Sequence, residues 1–109
     1  MKPLVTRAFR MNLNPGQEQE YMRRHDEIWP ELTALLRESG IEDYRIFLDP
    51  QSGALFAIMT HRDPHSLDDL PLHPVMRRWW RHMQDIMASH VDASPHTVEL
   101  LPMFALQAR

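Results

Sequence analysis

The chain has 109 residues, 43% hydrophobic and 25% charged, which suits one domain over residues 1–109 with a single core. Its 12 Lys and Arg against 15 Asp and Glu leave a net charge of −3, so neither a nucleic-acid backbone nor an anionic membrane is an obvious partner. The lack of cysteine excludes disulfides, thiolate metal sites and cysteine nucleophiles; no run approaches the ~20 apolar residues that span a bilayer, and a cytoplasmic protein is expected.

Residues 4–13 read as a strand, with Val5, Phe9, Met11 and Leu13 on one side and Leu4, Thr6, Ala8 and Asn12 on the other. Asn14, Pro15 and Gln17 then resemble a helix start, with a cap, a first-turn proline and a capping-box partner. The helix is expected to run to about Ser39 and end at Gly40. Within it Tyr21, His25 and Trp29 fall at successive i, i+4 positions and share a face with Leu32, Leu35 and Leu36. Pro30 interrupts this helix by removing one N–H from its ladder. A kink there is either strain without purpose or a way to shape a pocket.

Residues 41–48 form a second strand, the run from Asp49 to Gly53 a hairpin turn, and residues 54–61 a third strand. A polar loop with three prolines covers residues 62–74, with room for a short helical turn. A second helix is expected over 75–87, with Val75, Trp79, Met83 and Ile86 as its inner stripe. A further loop leads to a last strand over 97–106. The order βαββαβ is the ferredoxin-like split βαβ arrangement of α+β proteins, with an antiparallel sheet. Right-handed crossovers give strand order 4-1-3-2 with both helices on one face. Pro102 inside the fourth strand is tolerable because that strand lies at the edge.

A sheet covered on one side alternates apolar and polar residues. The hairpin strands instead carry Leu55, Ala57 and Met59 on one face and Phe56 and Ile58 on the other, with Phe47 opposing Ile46 and Leu48. Helices cover only one face, so the other calls for a partner. A homodimer with sheets packed face to face is expected.

Seven histidines show no metal-binding spacing such as H-E-x-x-H, and no phosphate loop or nucleophile elbow is present. Neither a metal nor a cofactor is expected. His25 lies on the inward side of its helix. It is either a core histidine with satisfied hydrogen bonds or, with the hydroxyls of Tyr21 and Tyr44, part of a small polar cavity. Trp79 and Trp80 point about 100° apart on their helix. They either fill space or wall a pocket for a flat, partly apolar ligand such as the C–H face of a sugar. Trp29 is assigned no role.

Taken together, the segments 20–25 and 28–32, Tyr44 ahead of Phe47-Leu48-Asp49, and Arg78-Trp79-Trp80 with Met83 resemble the L-rhamnose mutarotase family over nearly the whole chain. That resemblance implies a cofactor-free sugar epimerase with a ferredoxin-like, dimeric α/β-barrel assembly. It implies that His25 is the proton donor, that Tyr21 and Tyr44 contact the sugar, and that Trp79 and Trp80 form the substrate-binding pair. One departure is Asp26, where relatives can carry neutral polar residues; its carboxylate either raises the pKa of His25 or faces solvent. Two other classes share this architecture or size: cofactor-free or haem-dependent monooxygenases and lactone isomerases, and non-catalytic ligand-binding modules.

Overall fold

A computed structural model describes residues 3–106; the ends of the expected 1–109 domain, residues 1–2 and 107–109, lie outside them. Strand β1 (Leu4–Asn12) is followed by helices α1 (Glu18–Asp26) and α2 (Pro30–Glu38), then strands β2 (Ile41–Leu48) and β3 (Ala54–Arg62). A 3₁₀ helix (Leu67–Leu72), helix α3 (Pro74–Met83) and a short strand β4 (Val98–Leu100) complete the order. The sheet runs β2-β3-β1-β4 with every pair antiparallel, the order expected for the split βαβ arrangement.

Period-2 alternation sets the two faces of this sheet. Across it, Leu55 pairs with Met11 on one side and Leu48 on the other, Ala57 with Phe9 and Ile46, and Met59 with Arg7 and Tyr44. This face meets the helices: Met11, Leu55 and Ala57 join Tyr21, Leu32, Trp79, Met83 and Ile86 in one buried cluster. The opposite face carries Phe47, Ile58 and Val98, and Phe47 is 54% exposed. Both faces are thus apolar, and one is uncovered in the single chain.

Three expectations about elements need correction. The helix expected over 14–39 is two helices, because Trp29 is extended (φ −65°, ψ 132°). A residue before proline is excluded from the helical region by the proline ring, and Pro30 then starts α2 as its first residue, where a missing N–H is harmless. The chain also turns at Pro15-Gly16 before α1 begins, and Gln17 caps it without a side-chain hydrogen bond; Asn14 instead reaches the Asp85 carbonyl. The second helix ends at Met83 rather than Met87, although Ile86 and Met87 stay buried. The last strand covers three residues rather than ten. Pro102 lies beyond it, and residues 101–106 are exposed, so no edge-strand proline has to be accommodated.

The turns follow their side-chain chemistry. Asp49 accepts hydrogen bonds from the Gln51 N–H and the Ser52 hydroxyl, and Gly53 closes the hairpin at φ +78°. A Cβ at Gly53 would stand 3.0 Å from the Leu13 carbonyl. His73 caps α3 by accepting the Val75 N–H at its Nδ1.

Candidate active site

A cleft of about 1030 Å³ lies between the inner sheet face and the helices. Its wall includes Tyr21 and His25 from α1, Tyr44 from β2, and Trp79 and Trp80 from α3. All five residues singled out in the sequence therefore border one hollow. Tyr21 is 8% exposed and belongs to the core, whereas Tyr44 is 38% exposed.

The α1 helix places Tyr21 and His25 one turn apart, with ring centroids 4.3 Å apart and planes at 31°. The His25 ring meets Trp79 edge to face at 5.5 Å. Trp29 is not the third member of that stack. It leaves the helix at the Pro30 break and packs edge to face on Trp79 at 5.1 Å, behind the wall. Tyr44 leans on Phe9 at 6.4 Å, which directs it along the inner face of the sheet.

His25 Nδ1 donates to the Tyr21 carbonyl over 3.0 Å; the carbonyl can only accept, so this bond sets the tautomer. The proton sits on Nδ1, and Nε2 is left with its lone pair. Burial lowers the pKa of His25 below the ordinary histidine value, outweighing the bond to the Tyr21 carbonyl and the charge of Asp26, which both raise it. Asp26 is exposed. Its carboxylate thus acts in the direction expected, but desolvation is the larger effect.

Desolvation raises both phenols: Tyr21, in the core, well above the tyrosine range, with a smaller push from nearby Tyr44, and Tyr44, although 38% of its surface stays exposed, to about 12. Both stay protonated and neutral at ordinary pH. Among the described residues neither hydroxyl has a protein hydrogen-bond partner within the chain's side-chain bonds, and neither is sealed from the cleft. Each is a free donor and acceptor facing the same space. Among those residues, too, no three His, Asp or Glu side chains gather as metal ligands.

Arg24 fastens α1 to the end of α3. It bridges Glu20 and both oxygens of Asp85 and donates to the His82 carbonyl. These charge-assisted bonds keep the helix bearing Tyr21 and His25 in register with the one bearing the tryptophans. The paired arginines hold the Glu20 carboxyl down at about 2.

Sequence reasoning passed over Arg7, Met59 and Met76, which also line the cleft, together with Leu67 and Leu70 of the 3₁₀ helix. For Arg7 the signal was available. It occupies an odd position of β1 between Val5 and Phe9, on the face assigned to the core, where a charge needs a reason. The 3₁₀ segment carries no comparable pattern.

A family model described as L-rhamnose mutarotase matches residues 6–106. An L-rhamnose mutarotase of Brucella anthropi is 57% identical over 89% of this chain and 92% of its own length. One from Agrobacterium fabrum is 52% identical over 97% and 99%. The crystal structure of L-rhamnose mutarotase FA22100 from Formosa agariphila superposes with a TM-score of 0.89 at 38% identity, covering 94% of this chain and 99% of that one. With a match of this length and identity, the chain belongs to the L-rhamnose mutarotase family.

Proposed function

We propose that this protein is an isomerase that interconverts the α and β anomers of L-rhamnose, with His25 as its acid–base group. The observation that carries the reading is the His25 tautomer. Its Nδ1–H is committed to the Tyr21 carbonyl, and the remaining Nε2 belongs to a ring lining a cleft shared with two phenols and two indoles.

Anomer exchange breaks the bond between C1 and the ring oxygen, forms a C1 carbonyl, and reverses both on the other face after rotation about C1–C2. One proton leaves the anomeric hydroxyl and one reaches the ring oxygen, with no redox change. A half-buried, neutral imidazole enters this cycle as an acceptor. Nε2 takes the anomeric proton as the ring opens, and the imidazolium returns it to the ring oxygen. Proton donation, the role expected for His25, is then the second half of one exchange. On closure the ring hydroxyl gives its proton back to Nε2, its oxygen attacks C1, and the new anomeric oxygen is protonated.

The phenols, held neutral, are poor bases and good hydrogen-bond donors. Tyr21 and Tyr44 are assigned to fixing sugar hydroxyls rather than to receiving the anomeric proton. Trp79 and Trp80 offer an apolar wall for the C–H face and methyl group of a 6-deoxy sugar. Such positioning and proton transfer contribute about 10²–10⁴-fold, and the reaction already runs slowly in water.

The reading includes a homodimer, supported by the uncovered apolar sheet face around Phe47, Ile58 and Val98, and a cytoplasmic setting. Among the described residues no helix is long and apolar enough to cross a membrane. Polarimetry of a freshly dissolved single anomer of L-rhamnose tests the activity: the protein speeds the approach to equilibrium, and a decay identical to buffer alone refutes the assignment.

A further inference from the structure

Strand β4 is polar on the inside and apolar on the outside. Val98 and Leu100 pair with Arg10 and Ala8, and Val98 is exposed with the rest of the outer face. Glu99, between them, pairs with Phe9 and so stands on the inner face. The cleft lining gives the same answer independently. The alternate residues Pro95, Thr97 and Glu99 border it, whereas His96 and Val98 do not.

The row that Glu99 begins is otherwise apolar, with Phe9, Ala57 and Ile46 following across β1, β3 and β2. A charged group at the head of such a row needs a reason. Phe9 also meets the Tyr44 ring at 6.4 Å, so the carboxylate-bearing residue and one of the cleft phenols share an aromatic neighbour.

The other carboxylates bordering the cleft are committed or placed elsewhere. Glu42 pairs with Arg62 over 2.7 Å and Asp43 with Arg45 over 3.0 Å. Asp26 ends α1, and Asp68 lies in the 3₁₀ helix. Glu99 comes from the sheet, and among the described residues it makes no ion pair.

A carboxylate supplies what the rest of the cleft lacks. Arg7 can only donate, the neutral phenols are good donors, and the Nε2 acceptor of His25 is taken up by proton transfer. A sugar brings a donor with every hydroxyl, and the two oxygens of a carboxylate accept from adjacent hydroxyls at once.

We propose that Glu99 is a substrate-binding residue whose carboxylate accepts hydrogen bonds from sugar hydroxyls other than the anomeric one and selects for sugars that carry them. This rests on the mutarotase reading above. Such bonds are alike in the closed-ring ground state and the transition state, so they set KM and the choice of sugar rather than kcat.

The test compares wild type with Glu99→Ala and Glu99→Gln. The side chain is exposed, so both variants keep the fold, which circular dichroism verifies. Anomer exchange is measured by saturation-transfer NMR with L-rhamnose and its 2-, 3- and 4-deoxy analogues, alongside calorimetric sugar binding. Glu99→Ala raises KM and Kd for L-rhamnose by about tenfold or more, as loss of a hydrogen bond to a charged group does, with kcat within about twofold. Glu99→Gln keeps an acceptor oxygen without the charge and shows a smaller rise. At least one deoxy analogue already has the raised KM with wild type and loses nothing further in Glu99→Ala. Unchanged KM in both variants, a fall in kcat at unchanged KM, or equal losses for every analogue overturns the role. Failure of wild type to accelerate exchange instead overturns the mutarotase reading, a separate outcome visible before any variant is made.

Discussion

His25 carries the account at the scale of single residues. Its neutral form is favoured by burial, and the neutral form is the one that begins the proposed cycle. Activity should therefore be flat through neutrality and fall only on the acid side of the ordinary histidine value of ~6.5. The phenols, raised above the tyrosine range or to about 12, add no alkaline limb below about pH 10, and a rate profile from pH 5 to 10 checks both statements. The stability consequence has a definite sign. A histidine with a lowered folded pKa binds its proton less readily folded than unfolded. The stability it contributes is present above ~6.5 and is lost as pH falls through the folded value. Thermal unfolding at pH 7.5 and 5.5 should show a steeper acid loss for wild type than for His25→Gln; equal losses contradict the burial argument. The inward placement of Tyr21, Tyr44 and Trp79 was open to the sequence because helical spacing and strand parity put them there, whereas the roles proposed for them and for Trp80 come from the family resemblance. Arg7 escaped because a charge on a core face was not weighed as a signal.

At the level of elements, Pro30 sets where the first helical stretch breaks and Gly53 how the β2–β3 hairpin turns. Pro30 was legible as an interruption but not as a complete break. The deciding restriction acts on Trp29, the residue before it, and frees that indole to back Trp79 rather than stack on His25. Pro30→Ala restores an N–H and a flexible φ; it should cost about 0.4–1 kcal/mol of stability in urea unfolding. A gain in stability would show the break to be strained rather than favoured. Gly53 holds the hairpin turn at positive φ beside the Leu13 carbonyl. Gly53→Ala should lose at least about 1 kcal/mol in the same measurement, since both the conformation and the space oppose a methyl group. The early end of β4 and the turn at Pro15-Gly16 were illegible for a different reason. Both depend on which backbone groups find partners, and periodicity says nothing about that at a sheet edge or a helix start.

For the whole molecule, strand order and the two-faced apolar hairpin were readable from element order and alternation, because right-handed connections leave few topologies. What covers the outer face is a matter of assembly. Phe47→Asp places a charge on that apolar face; sedimentation should then report a shift from dimer toward monomer, with α1, α2 and α3 intact by circular dichroism. A wild-type monomer at micromolar concentration contradicts the dimer. The central claim, however, is chemical, and saturation-transfer NMR on L-rhamnose tests it most directly. With wild type, saturation of one anomeric proton passes to the other far faster than in buffer. With His25→Ala, folded to the same extent, the rate falls by about 10²–10⁴-fold toward the uncatalysed value. A variant that exchanges anomers as quickly as wild type would remove the imidazole from the mechanism.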